Sequence, residues 1–127
     1  MKARILIVGD DPVLLHTRAQ LLRDWHIRTS SSRDAEQAMR AQEYDLFIFS
    51  QTIYEESARS LIAQAQRLHP RTSILAIRSG EERQLASATY QVDLRNPGGL
   101  RSAVAEVLER RPAYMKAKAI PRSTAST

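Results

Sequence analysis

Residues 5–12 have the sequence ILIVGDDP, which predicts a buried β-strand followed at once by a helix. A short apolar run rich in β-branched residues, starting near residue 3 and ending at residue 8, is typical of a strand in a parallel sheet. Asp11 is a suitable N-cap, and Pro12 is favoured in the first helical turn. Apolar residues at three- and four-residue spacings continue the helix to about Trp25. The opening of the chain therefore predicts a β-α unit.

The same alternation of strand and helix patterns recurs along the whole chain. Further strands are predicted at residues 26–31, 44–49, 73–77 and 91–94, and further helices after Asp34, at about 55–68, at 81–88 and from Leu100 to about 111–112. Five strand-helix units predict an α/β fold, a doubly wound parallel sheet with helices on both faces. Functional sites in such sheets lie at the carboxyl ends of the strands. Here those ends are residues 9–11, 50–51, 78–79 and 95–96.

The positive charge of the chain is concentrated near its end. Residues 1–109 hold 14 basic and 14 acidic residues, out of totals of 19 and 14, so this part is formally neutral. The other five basic residues are Arg110, Arg111, Lys116, Lys118 and Arg122. This distribution predicts a folded domain at 1–111 and a basic, flexible tail at 112–127. A nucleic-acid surface across the whole domain is not favoured.

Several functional classes are excluded by composition. The chain has no cysteine, which excludes disulfides, thiolate metal sites and cysteine nucleophiles. No apolar run approaches the roughly 20 residues that cross a bilayer, and the apolar run after Met1 is too short for a secretory signal. We therefore expect a cytoplasmic protein without membrane contact. We also expect no enzymatic activity, because the sequence has no glycine-rich phosphate loop or nucleophile elbow.

Four segments, taken together, resemble the receiver domain of two-component response regulators. They are ILIVGDDP at 5–12, YDLFIFS at 44–50, PRTSILAIR at 70–78 and NP at 96–97. The resemblance covers about residues 3–110 and includes the single-domain chemotaxis type. It implies a flavodoxin-like three-layer sandwich whose five parallel strands have the order 2-1-3-4-5.

The resemblance also implies a phosphoryl site, but this sequence departs from its pattern. A receiver has an acidic pair that binds Mg²⁺, an aspartate that accepts the phosphoryl group, and a Ser/Thr and a lysine that contact this group. The acidic pair falls on Gly9 and Asp10, and the acceptor falls on Ser50. The Ser/Thr falls on Arg78 (beside Ser79), and the lysine falls on Asn96. Only Asp10 keeps the residue type that the family has.

These departures predict the loss of phosphoryl transfer. A serine hydroxyl is a poor nucleophile without a base, and it cannot form an acyl phosphate. Asp10, with Asp11 beside it, would give at most a weak Mg²⁺ site, and no other cofactor is expected. Two simpler roles stay open, a helix cap for the aspartates and a plain structural role for Ser50. Arg78 would suit either a bound anion or a solvated position.

An intact framework around an altered site favours a signalling module that binds another protein without being phosphorylated. The expected partner is a histidine kinase or an output protein, bound through an outer helix or the edge of the fifth strand. A homodimer is an open alternative. Two other functions stay open: an unorthodox receiver phosphorylated on Asp10, Asp11 or Ser50, and weak nucleic-acid binding through the tail.

Overall fold

The computed structural model describes residues 2–78, 90–93 and 99–119. Within these ranges the chain forms five strands and four helices. In chain order they are β1 (Arg4–Val8), α1 (Pro12–Leu21), β2 (His26–Ser30), α2 (Ala35–Ala41), β3 (Leu46–Phe49), α3 (Glu55–Leu68), β4 (Ser73–Arg78), β5 (Tyr90–Asp93) and α4 (Gly99–Ala119).

The five strands form one parallel sheet in the order β2-β1-β3-β4-β5. The sheet confirms the predicted α/β class and the strand order 2-1-3-4-5. Chain order reverses between β1 and β3, where Val8 lies opposite Phe49. The carboxyl ends of these two strands therefore meet at the place where such sheets carry their functional sites.

Apolar cores on both faces of the sheet explain why β1 and β3 form. Leu6 and Val8 face a core that includes residues of α2 and α3. Ile5 and Ile7 face a second core that includes residues of α1 and α4. Side chains alternate between the faces of a strand, so a continuous apolar run is buried on both sides. Burial of each such side chain contributes about 1.5–3 kcal/mol, and the prediction of helices on both faces is confirmed.

Helix α1 begins as predicted and ends earlier than predicted. Asp11 is its N-cap, and Oδ1 of Asp11 accepts hydrogen bonds from the backbone N–H groups of Val13 and Leu14 at 3.0 and 3.3 Å. The last helical residue is Leu21, so the expected continuation to Trp25 is wrong. The chain turns after Leu21 because β2 starts opposite Arg4 only a few residues later.

Asp34 does not cap α2 with its side chain, although it occupies the N-cap position. An aspartate directly before a helix usually indicates a side-chain cap, but no such cap forms here. The backbone angles of Asp34 are φ −98° and ψ 3°, whereas a capping side chain is usually aimed by an extended backbone. Instead, the backbone N–H of Asp34 donates to Ser31 Oγ at 3.2 Å.

Helix α4 continues to Ala119, so the expectation that it ends near residues 111–112 is wrong. Residues 112–119, expected to be flexible, have a helical backbone. Pro112 removes one helical hydrogen bond, but the residues after it are mainly Ala, Met and Lys, which have high helix propensity. The domain boundary at residue 111 stays a prediction.

Some sequence-based expectations fall on other parts of the chain. The short helix at 81–88, the NP motif at 96–97 and the tail beyond residue 119 lie outside the described residues. The fifth strand is present one residue earlier than predicted, at Tyr90–Asp93. In the described ranges, no helix combines the length and the apolar character that crossing a membrane requires.

Candidate functional site

The carboxyl ends of β1 and β3 bring Gly9, Asp10 and Ser50 together, as the sequence predicts. The backbone N–H of Ser50 donates to the carbonyl of Val8 at 2.8 Å, which continues the strand pairing. The backbone N–H of Asp10 donates to Thr52 Oγ1 at 2.9 Å, which joins the two loops. We refer to this region as the Ser50 pocket, formed by Gly9, Asp10, Ser50 and the residues that contact them.

The other predicted site residues are placed only in part. The backbone of Arg78 ends β4 and pairs with Asp93 of β5. The side chain of Arg78, and all of Ser79 and Asn96, lie outside the described residues. Their predicted roles therefore stay predictions.

The hydroxyl of Ser50 is buried and fully engaged in hydrogen bonds. Ser50 is 4% exposed. Its Oγ accepts from Arg18 Nη1 at 2.7 Å, from the hydroxyl of Thr52 at 3.1 Å and from the backbone N–H of Thr52 at 3.3 Å. It donates to Gln51 Oε1 at 3.0 Å. A hydroxyl offers one donor and two lone pairs, and here three donors share the two lone pairs, so no hydrogen-bonding capacity is left for an incoming phosphoryl group.

Arg18 is the member of this site that the sequence analysis missed. It lies on α1, is 6% exposed, and donates from Nη2 to Gln51 Oε1 at 3.1 Å as well as from Nη1 to Ser50. One signal was present in the sequence. Arg18 lies four residues after Leu14 and four before Leu22, on the apolar stripe of the helix. A charged residue on such a stripe needs a buried partner.

The guanidinium of Arg18 places a cation 2.7 Å from Ser50 Oγ. Ser50 is the residue at the position where receiver domains have their acceptor. Burial lowers the pKa of Arg18, and the negative charge of Asp11 acts in the opposite direction. The group stays protonated, because an arginine does not lose its proton in a protein. Its two acceptors, Ser50 Oγ and Gln51 Oε1, are neutral. The pocket thus contains a cation of its own, supplied by the chain.

Gly9 leaves no room for the acidic side chain that the family has at this position. A Cβ atom built on Gly9 would lie 2.9 Å from the Cβ of Ser50, 3.2 Å from Thr52 Oγ1 and 3.3 Å from Leu15 Cδ2. Real Cβ atoms essentially never approach another carbon so closely. The close approach of β1 and β3 therefore requires glycine at residue 9.

Both aspartates of the β1–α1 loop have structural partners. Asp10 Oδ1 accepts from the backbone N–H of Ser32 at 2.8 Å, and Asp10 Oδ2 accepts from Ser32 Oγ at 2.8 Å. Asp11 caps α1. Mg²⁺ prefers six oxygen ligands in near-octahedral geometry. Gly9 has no side chain and Ser50 is bound to Arg18, so the donor set fits Mg²⁺ poorly. In the described residues, no three His, Asp or Glu side chains are grouped as a metal site.

We expect Mg²⁺ to have little effect on the protein. At about 10 mM, an ion with a dissociation constant in the tens of millimolar raises the free energy of unfolding by less than about 0.2 kcal/mol. Denaturant unfolding with and without MgCl₂, followed by the fluorescence of the single tryptophan, measures this. Asp10→Asn is the matched control. A Mg²⁺-dependent stabilisation that disappears in Asp10→Asn would contradict the prediction.

Comparison with solved structures identifies the fold. The receiver domain protein (CheY-like) from Methanospirillum hungatei JF-1 has a TM-score of 0.79 at 18% identity, over 90% of this chain and 99% of that chain. The signal receiver domain of a putative Luxo repressor protein from Vibrio parahaemolyticus has a TM-score of 0.75 at 20% identity, over 98% and 100%. A structure described as adenylate cyclase from Rhodopirellula baltica has a TM-score of 0.84 at 16% identity, over 98% and 100%. No family model and no curated protein matches the sequence.

These similarities show that the chain has the fold of response-regulator receiver domains, as its sequence motifs predict. All three structures share no more than 20% of their residues with this chain. At this level the comparison establishes the fold, and function has to be argued from the site itself.

Proposed function

We propose that this protein is a signalling module with a receiver fold that acts by binding another protein and does not transfer a phosphoryl group. The observation that carries the proposal is the 2.7 Å hydrogen bond from buried Arg18 Nη1 to Ser50 Oγ. The group that stands at the acceptor position is a hydroxyl held by a cation.

Three features of the Ser50 pocket support the loss of phosphoryl transfer. Among the described residues, the hydroxyl contacts Arg18, Gln51 and Thr52, and none of these is a base that would activate it. Of the acceptor-site positions that the structure describes, Asp10 alone is acidic, and it is bound to Ser32. Residue 9 cannot take a second acid without moving β1 or β3. These features affect three requirements of phosphoryl transfer: an acceptor, a metal site and space for the phosphoryl group.

The retained scaffold supports a role in binding. Two solved structures with this fold are described as signal receiver domains of larger or regulatory proteins. A module of this kind would act in the cytoplasm on another signalling protein, such as a histidine kinase or an output protein. It would have no enzymatic activity and need no cofactor.

Incubation with acetyl phosphate and Mg²⁺ is expected to leave the protein unmodified. Intact-mass spectrometry measures the result, and a receiver domain with an intact acceptor, treated in parallel, is the positive control. We expect Ser50→Asp to stay unmodified as well, because its carboxylate would pair with Arg18 and residue 9 would still lack an acid. Labelling of the wild type that disappears in Ser50→Ala would overturn the proposal.

A further inference from the structure

Two large apolar side chains are exposed at the end of the sheet where Ser50 lies. Val13, in the first turn of α1, is 72% exposed, and Tyr54, directly before α3, is 71% exposed. Their loops are joined by the hydrogen bond from the backbone of Asp10 to Thr52 Oγ1. Tyrosine is among the residues that contribute most to protein interfaces. Both side chains are therefore available to a partner at this end of the sheet.

The described loops and early helical turns around these two residues carry more acidic than basic residues. Five acidic residues follow the carboxyl ends of β1, β2 and β3, and they are Asp10, Asp11, Asp34, Glu55 and Glu56. The basic residues described in this region are Arg33, the buried Arg18 and Arg59, and Arg59 is paired with Glu55 at 2.6 Å. We call Val13, Tyr54 and the five acidic residues the acidic rim. Its chemistry fits a positively charged segment that also carries apolar side chains.

Arg18 fixes the loop between β3 and α3, which is part of the acidic rim. It binds Ser50 and Gln51, and Ser50 in turn binds Thr52. The loop from β3 to α3, which carries Tyr54, is therefore fixed by buried hydrogen bonds without any phosphoryl group. A surface that is ordered in advance loses less conformational entropy when it binds a partner.

The chain itself contains a segment with the matching chemistry. Residues 110–122 include five basic residues and no acidic one, together with Tyr114, Met115 and Ile120. We call this stretch the basic segment. Opposite charges on two surfaces accelerate their encounter and fix their relative register.

Helix α4 is longer than any described strand, and residues 110–119 of the basic segment lie in its later turns. Its 21 residues span about 31 Å, whereas the longest strand, β4 with six residues, spans about 20 Å. The early turns of α4 pack on the sheet through Leu100, Val104 and Val107. Leu108 is the last of the described α4 side chains in this core, and residues 109–119 continue the helix for about another 17 Å. A helix does not fold back on itself, so residues 110–119 of the basic segment continue away from these core contacts.

We propose that the acidic rim binds the basic segment of a second copy of this chain. The contact is head-to-tail, since each copy offers one rim and one basic segment, and it produces an open series of dimers and larger assemblies. This inference rests on the proposed function, because it names a partner for the binding module. The association is strengthened at low salt, where the Debye length is about 30 Å at 0.01 M and about 3 Å at 1 M.

Sedimentation velocity on the full chain tests the proposal. At 0.01 M salt the weight-average mass is expected to rise with protein concentration, and at 1 M salt it is expected to fall to that of a monomer. The rim variant Tyr54→Ala/Glu56→Lys and the segment variant Lys116→Glu/Lys118→Glu should each stay monomeric. Glu43→Lys reverses an exposed charge away from the rim and should associate like the wild type.

An equimolar mixture of the two variants is the decisive measurement. The rim variant keeps its basic segment and the segment variant keeps its acidic rim, so one intact contact can form per pair. The mixture is expected to give one-to-one dimers and nothing larger. A monomeric mixture, a wild type that is monomeric at 0.01 M salt, or association that persists in both variants would each overturn the proposal. Association removed by nuclease treatment would also overturn it and would assign the basic segment to nucleic acid.

The outcome is separable from the proposed function. Circular dichroism confirms that each variant is folded, and acetyl phosphate labelling is measured on the same samples. A monomeric protein that stays unlabelled overturns the self-association alone. A protein labelled on Ser50 overturns the proposed function, whatever its mass.

Discussion

Replacement of Arg18 by alanine is expected to lower the free energy of unfolding by about 2–4 kcal/mol. The change removes a buried side-chain stem and two hydrogen bonds from a charged donor, and such bonds contribute about 1.5–3 kcal/mol each before desolvation is subtracted. It also leaves the oxygens of Ser50 and Gln51 with fewer donors. Denaturant unfolding followed by Trp25 fluorescence measures the loss.

Two further variants separate the causes of this loss. Arg18→Met loses the same hydrogen bonds but keeps most of the buried volume, so its stability should lie between those of Arg18→Ala and the wild type. Arg23→Ala, at an exposed residue just after α1, should change stability by less than about 0.5 kcal/mol. If Arg18→Ala were as stable as Arg23→Ala, the buried network would contribute nothing, and the packing argument for Arg18 would fail.

Gly9→Ala is expected to lower the free energy of unfolding by about 2–3 kcal/mol, a large loss for one added methyl group. The new Cβ would lie 2.9 Å from the Cβ of Ser50. Both carbons are attached directly to the backbone of paired strands, so neither can rotate away. The strands or their loops would have to shift.

A double-mutant cycle tests this origin of the loss. In a Ser50→Gly background the opposing Cβ is absent, and the cost of Gly9→Ala should fall below about 1 kcal/mol. In a Ser50→Ala background the Cβ is kept and the hydroxyl is lost, so the full cost should remain. Equal costs in the two backgrounds would mean that Gly9 is required for another reason.

The fold was predictable because its central strands carry their signal locally. The apolar residues of β1 and β3 are buried on both faces of the sheet, and their continuous apolar runs in the sequence indicate this burial. The order of the strands came from the resemblance of four segments to a family. The ends of α1 and α4 were placed wrongly, since the first depends on where β2 pairs and the second on helix propensity that outweighs a proline.

The sequence predicted which residues of the site lie near one another, but it did not predict the hydrogen bonds between their side chains. Gly9, Asp10 and Ser50 meet because the ends of adjacent parallel strands meet. Arg18 was missed because its contact with Ser50 joins residues 32 positions apart on a helix and a strand end. The role of Asp10 depends likewise on Ser32, 22 positions away. Such contacts follow from how long side chains pack between elements, which spacing along one element does not show.

The close packing of Gly9 against Ser50 has a consequence for the evolution of this chain. A mutation that introduces an acid at residue 9 meets the Cβ of Ser50, and one that introduces an aspartate at residue 50 gives a carboxylate paired with Arg18. Each single change is thus harmful or without benefit, and at least three residues (Gly9, Arg18 and Ser50) must change together before selection for phosphoryl transfer can act. A stepwise route from this sequence to phosphoryl transfer is therefore obstructed at its first steps, so changes in what the chain binds are expected to accumulate more easily.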